Sequence, residues 1–162
     1  MIKGISQPKE IIVDERLSLV RYYPYYKRTL QWYQDPALCK QVDNIDYPYD
    51  KERLCRMYKY LSSRGECYYI KYKENGRFHL VGDISLCDGK IAIVVCKEYQ
   101  NRHIGRKAVA AILSRASDIG LKHVDAEIYD FNKQSIKMFT DIGFKKIDKE
   151  RYRYVFNGNG DS

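Results

Sequence analysis

The sequence predicts an α/β fold: a mixed central sheet of about six to seven strands flanked by about four helices. Three observations carry this. Residues 91–96, Ile-Ala-Ile-Val-Val-Cys, are apolar on both faces, as a strand in the middle of a covered sheet must be. Val109, Ile112, Leu113 and Ala116 recur at i, i+3, i+4 and i+7, the spacing of one buried helix face, and Gly120 ends that segment. Ahead of both, Asn75-Gly76 and Asp88-Gly89 punctuate three strand-length segments and so predict an antiparallel meander.

Taken in order, residues 1–14 lack a clear period and read as peripheral or mobile, and the alternation of Leu17, Leu19 and Arg21 predicts a first strand over 16–22. Residues 26–33 read as a helix that stops at Asp35-Pro36, because proline disfavours helical geometry in the residue before it. A loop-rich acidic stretch is expected next. Asp50 is placed to cap a second helix to about residue 63, with Leu54, Met57, Tyr58 and Leu61 at helical spacing. The meander strands follow at 67–72, 78–86 and 90–96. Past the long helix, residues 123–129 read as a strand, and 133–142 as a short helix capped by Asn132 that leaves through Gly143-Phe144. Weaker strands at 145–147 and 151–156 finish the fold, with 157–162 as a polar, mobile tail. All 162 residues, 44% of them hydrophobic, are expected to form a single domain.

Composition narrows the function. No apolar run is long enough to span a bilayer and the N-terminus has no signal-peptide pattern, which leads to an expectation of a cytoplasmic protein without a membrane partner. The five cysteines form no CxxC pair and no Cys/His cluster with metal-ligand spacing, so they read as reduced and no metal is expected. A formal charge of +8 points to an anionic partner. The Lys and Arg residues are dispersed, with no nucleic-acid-binding motif, which argues against nucleic acid and for a polyanionic small molecule.

The residues best suited to hold one are Gln100-Asn101-Arg102-His103-Ile104-Gly105, a polar turn between the buried strand and the long helix. The first amides of that helix lack intrahelical partners and, with the helix dipole, form a ready site for a pyrophosphate. Gly105 leaves the backbone open to a phosphate, and Arg102, Arg106 and Lys107 add positive charge. Here the chain resembles the GCN5-related N-acetyltransferase (GNAT) superfamily, whose signature Gln/Arg-x-x-Gly-x-Gly/Ala is met by Gln100-x-x-His103-x-Gly105. Glu98-Tyr99 before the glutamine resembles the family too, as do Asn132, Ser135, Phe139, Gly143 and Phe144 in the later pattern Asn-x-x-Ala/Ser-x-x-x-Tyr-x-x-x-Gly-Phe. Trp32, Asp35 and Pro36 resemble the subgroup of ribosomal-protein N-terminal acetyltransferases.

The resemblance implies the GNAT fold, with its two central parallel strands, here 90–96 and 123–129, splayed apart, and acetyl-CoA as cosubstrate. The backbone of Ile93, Val94 and Val95 would pair with the acetyl and pantetheine portion, residues from Gln100 through Asn101, Arg102, His103, Ile104 and Gly105 to Arg106 would cradle the pyrophosphate, and Asn132 would bond near the pantetheine. Asn132 reads equally well as a helix cap. Glu127 stands where some relatives have a proton-accepting glutamate, although a strand glutamate facing solvent or holding an arginine is the plain alternative.

Two departures stand out. His103 replaces the first signature glycine, and its Cβ is expected to crowd the turn. Phe139 replaces the tyrosine that often protonates the departing thiolate, and a phenyl ring has no proton to give; Tyr129, Tyr152 and Tyr154 lie nearby in the sequence. Asp43, Asp46 and Asp50, among tyrosines, are candidates to attract a cationic amine. The reading that follows is acetyl transfer to a primary amine, on a small molecule or a peptide N-terminus. An acetyl-CoA-binding sensory module with little turnover is the alternative. The oligomeric state is left open, a homodimer included.

Overall fold

A computed structural model describes residues 5–157. Residues 1–4, and the expected tail beyond Asn157, lie outside the described residues. The architecture is one mixed sheet of eight strands, in the order β1-β2-β3-β4-β5-β6-β8-β7, with five helices, as the resemblance implies. The strands are β1 (Glu10–Ile12), β2 (Leu17–Arg21), β3 (Gly65–Glu74), β4 (Arg77–Cys87), β5 (Lys90–Val95), β6 (His123–Glu127), β7 (Lys145–Asp148) and β8 (Arg151–Val155). The helices are α1 (Tyr26–Thr29), α2 (Pro36–Asp43), α3 (Lys51–Arg64), α4 (Ile104–Asp118) and α5 (Lys133–Ile142). Every neighbouring pair of strands is antiparallel except β5 and β6.

The meander, its two turns and the central place of β5 agree with the sequence reading. Asn75 and Gly76 both take positive φ in the first turn, as do Asp88 and Gly89 in the second. Two elements differ. Residues 36–43, expected as loop, form α2: the Asp35 side chain accepts the Ala37 amide at 3.0 Å and Pro36 occupies the first helical position, where the missing N–H costs nothing. The segment before it is a single turn, α1, that tightens into a 3-10 turn over Leu30–Gln34. Second, Glu10–Ile12 adds an edge strand against β2, paired through Ile11 and Leu19.

The helices cover both faces. Tyr68 of β3 shares Glu66 with Arg115 of α4, whereas its neighbour Tyr69 packs edge-on against Tyr58 of α3, so these helices lie on opposite sides of the sheet. Ile104, Ala108, Val109, Ile112, Leu113 and Ala116 make the buried stripe of α4. Leu54 and Tyr58 anchor α3. Between β3 and β4 the register shifts beside Gly82, and a Cβ there would lie 2.0 Å from the Val94 carbonyl oxygen. Only glycine lets β4 and β5 come this close.

Candidate functional site

The parallel pair β5 and β6 is registered at one level only, Lys90 against Asp125. Asp125 fastens it: its amide donates to the Gly89 carbonyl at 2.9 Å, and Arg153 grips its carboxylate at 2.7 and 3.1 Å. The same guanidinium holds the Asp125 carboxyl below its usual range. Beyond this pin the strands part, as the resemblance implied. Residues 91–95 keep β4 on one edge, and on the other face a cavity of about 540 Å³. The cavity runs through the opening, with α4 and α5 at one end and α2, α3 and the 3-10 turn at the other.

At the α4 end, Gln100 donates to the Val95 carbonyl at 2.9 Å, and Gln134 of α5 donates to Asn101 at 2.7 Å, which fixes the turn between strand and helix. Asn101 and His103 both take left-handed backbone, with φ of 64° and 65°. No side chain caps α4, so its first amides are free for an anion. Gly105 sits in the first turn, where a Cβ would lie 3.2 Å from Met138 Sδ and 3.8 Å from both Ile93 and Val95. The glycine therefore seats α4 against β5 and α5, in addition to leaving room in the cavity.

The cavity brings together Ile93, Val94, Val95, Gln100, Asn101, His103, Gly105, Arg106, Glu127 and Asn132. Arg102 and Ile104 do not line it: Arg102 turns to Glu74 and the face of Tyr99, and Ile104 is buried in the core. The expected positive charge of the turn is already engaged, with Arg102 on Glu74, Arg106 on Asp141 at 3.1 Å and Lys107 on Asp14 at 2.9 Å. Such exposed pairs are weak enough to exchange for a stronger anion. Asn132 caps α5 through the Ser135 amide at 3.3 Å and also lines the cavity. Glu127 is paired with Lys90 at 2.5 Å and lies 3.9 Å from Arg151.

His103 is exposed, so its cost is the left-handed φ and not the crowding expected from its Cβ. His103→Gly is expected to keep stability within about 1 kcal/mol, since relief of φ strain offsets the greater chain entropy of glycine. His103→Val should lose about 1–2 kcal/mol in denaturant unfolding, because a β-branched residue resists that conformation.

Phe139 is buried against Phe144, and none of Tyr129, Tyr152 and Tyr154 lines the cavity. The tyrosines that do are Tyr33 and Tyr49, at the other end. There Asp83 of β4, only 5% exposed, accepts hydrogen bonds from Tyr33 and Tyr58, each at 2.7 Å. Burial pushes its carboxyl up to about 6, against the lowering effect of the two hydroxyls. Its signal in the sequence was a lone carboxylate in the apolar run Leu80-Val81-Gly82-Asp83-Ile84. Of the acidic candidates, Asp43 reaches the cavity but is held by Arg53 and Tyr49, Asp46 is exposed beside Lys40, and Asp50 caps α3. Cys96 is buried, and burial pushes its thiol up, which suits an inert core residue. Among the described residues no cluster of His, Cys, Asp or Glu is placed to hold a metal ion, and no helix is long and apolar enough to cross a membrane.

Comparison with known proteins agrees with this architecture. An uncharacterized protein of Methanocaldococcus jannaschii is 33% identical over 88 residues, which take in 51% of this chain and 18% of the relative; the chain thus spans less than a fifth of that relative's length. Among solved structures, a domain from Methanocaldococcus jannaschii superposes with a TM-score of 0.78 at 24% identity, covering 88% of this chain and 100% of that one. The Salmonella typhimurium acetyltransferase that modifies the N-terminal serine of the 50S ribosomal subunit protein L7/L12 superposes with a TM-score of 0.71 at 13% identity, covering 91% and 99%. Residues 26–144, from α1 through the turn after α5, match the Acetyltransferase (GNAT) family, and the chain belongs to that family.

Proposed function

We propose that this chain binds acetyl-CoA along the parting of β5 and β6 and transfers the acetyl group directly to a primary amine, with a peptide N-terminus as the acceptor. The observation that carries the reading is the single cavity joining the unpaired edge of β5 to the uncapped start of α4. The residues fit the cosubstrate. The backbone of Ile93, Val94 and Val95 along the opening suits an amide-bearing chain, the amides at Gly105 and Arg106 suit a pyrophosphate, and Asn132 lines the same cavity. When bound, acetyl-CoA supplies a thioester carbonyl open to attack. This chain's own residues must orient the amine, exclude water and accept its proton. With Phe139 in place of a tyrosine, the departing sulfur takes its proton from the amine or from water.

A peptide N-terminus is favoured by the likeness in fold to the ribosomal-protein acetyltransferase, together with Trp32, Asp35 and Pro36 in the matching segment. Acceptors vary widely on one fold, so this part stands on the assay. Thiol release across a panel of peptides with free N-termini and small primary amines is the test. Turnover with a peptide, and none with its N-acetylated form, is the expected result; binding of acetyl-CoA without turnover on any amine would favour a sensory module.

Glu127 borders the cavity, but its carboxylate is already engaged by Lys90, with Arg151 close by. Glu127→Gln is therefore expected to lower kcat by less than about tenfold and to leave acetyl-CoA affinity unchanged. A loss of about 100-fold or more in kcat would restore Glu127 as the proton acceptor.

A further inference from the structure

We propose that Asp83 receives the acceptor: its free carboxylate oxygen pairs with the ammonium and takes the first proton, and the acceptor so selected carries a single amine among uncharged atoms. The acetyl-transfer step rests on the function proposed above, whereas the amine site rests on the geometry around Asp83.

Asp83 is 5% exposed and lines the cavity, at the level of its cross-strand partner Val94. Tyr33 and Tyr58 both donate to Oδ2, and Oδ1 accepts no hydrogen bond from the described residues. The titratable groups facing it are Tyr33 from the 3-10 turn, Tyr58 from α3, and Cys67 and Tyr69 from β3. Burial pushes all four up, so they stay neutral. Among the described residues no lysine or arginine pairs with this carboxylate. A buried carboxylate with one oxygen uncommitted and no protein cation beside it is costly, and an incoming ammonium is the counter-charge that relieves it.

The other carboxylates on the cavity are already matched: Asp43 with Arg53 at 2.6 Å and Glu127 with Lys90 at 2.5 Å. One unmatched charge selects one ammonium. Leu38, Met57 and the ring of Tyr49 supply apolar surface in the same cavity, which suits the uncharged flanks of a peptide N-terminus and not a polyamine. In the reaction the ammonium gives one proton to Asp83, and the nitrogen lone pair forms the C–N bond as the C–S bond breaks. The second proton leaves with the sulfur as a thiol, and Asp83 returns its proton to solvent. Ammonium and thioester thus become amide, thiol and one free proton.

The test is carboxyl NMR of carbon-labelled aspartate, with the Asp83 resonance assigned by its loss in Asp83→Asn. Its titration midpoint is expected near pH 6. Seryl-alanyl-alanine amide should lower the midpoint by about one pH unit or more, while its N-acetylated form and spermidine should not. In Asp83→Asn, thiol release should fall about 100-fold with acetyl-CoA affinity, read by calorimetry, unchanged.

A second readout separates function from packing. Asparagine keeps both tyrosine hydrogen bonds and removes a carboxylate whose proton affinity is raised in the fold. Wild type therefore loses stability as pH rises through about 6, and Asp83→Asn should melt higher than wild type above that pH. A midpoint unmoved by the peptide, near wild-type turnover in Asp83→Asn, or a lower melting temperature above neutral pH would overturn the proposal; a midpoint moved equally by spermidine would overturn its single-amine part. If the peptide moves the midpoint but acetyl-CoA does not bind, the acetyl-transfer reading fails and the amine site stands.

Discussion

Gly105→Trp is expected to weaken acetyl-CoA binding by about 100-fold or more, roughly 2.7 kcal/mol, while the protein stays folded. The Cβ that replaces the glycine hydrogen begins 3.2 Å from Met138 Sδ, with Ile93 and Val95 at 3.8 Å. Met138 can yield a few tenths of an ångström, being unbranched. An indole cannot be taken up between α4, α5 and β5, so it must swing into the cavity. There it covers the amides at the start of α4 and the groups at Gln100 and Asn101 where the pyrophosphate is proposed to bind. Calorimetry with acetyl-CoA at low salt reads the loss, and thermal unfolding checks that α4 remains docked. Wild-type affinity in this variant would remove the pyrophosphate site from the account.

Arg115→Ala carries the largest expected loss of stability, about 3–5 kcal/mol, or a fall in melting temperature on the order of 10 °C. Arg115 reaches from α4 to Glu66 at the start of β3, donating from Nε at 3.0 Å and from Nη2 at 2.7 Å. Glu66 is 1% exposed, and Tyr68 donates to it from the same strand at 2.5 Å. Alanine leaves that carboxylate buried with one neutral donor. The cost is the unmatched charge and not the bare worth of a salt bridge, so Glu66→Leu combined with Arg115→Met should recover most of the stability. Urea unfolding of the single and double variants completes the cycle. Additive losses would show that the two groups do not act as a pair.

What the sequence revealed follows from the range of the forces involved. α4, the meander turns and α5 were legible because each is set by neighbours within a few residues: an apolar stripe, an Asn-Gly pair, an Asn cap. Asp35-Pro36 was read as the end of one helix when it also begins the next, since the chemistry that bars proline from a helix interior favours it at the first position. β1 is three residues long with a single half-buried side chain, Ile11, and shows no period.

The half of the cavity proposed for the cosubstrate was legible for the same reason. Its geometry is a strand, a turn and a helix in sequence. Partners that neutralise the turn were hidden, as Glu74, Asp141 and Asp14 lie 28, 35 and 93 residues from the cations they meet. The half proposed for the acceptor depends on three elements brought together by the sheet. Tyr33 and Tyr58 reach Asp83 across 50 and 25 residues, and only the lone carboxylate within β4 hinted at them. Asp83 also breaks the local rule that buried strands avoid charge, which is where a functional residue is expected to show itself.

The proposed acetyl-CoA site is one cavity, opened where β5 leaves β6 and reaching the start of α4. Amide NMR of nitrogen-labelled protein titrated with acetyl-CoA tests it most directly. The largest shifts are expected on Val94, Val95, Gly105, Arg106 and the side-chain amide of Asn132, with β7 and β8 unmoved. Shifts centred on β7 and β8, or none at all at saturating acetyl-CoA, would contradict it.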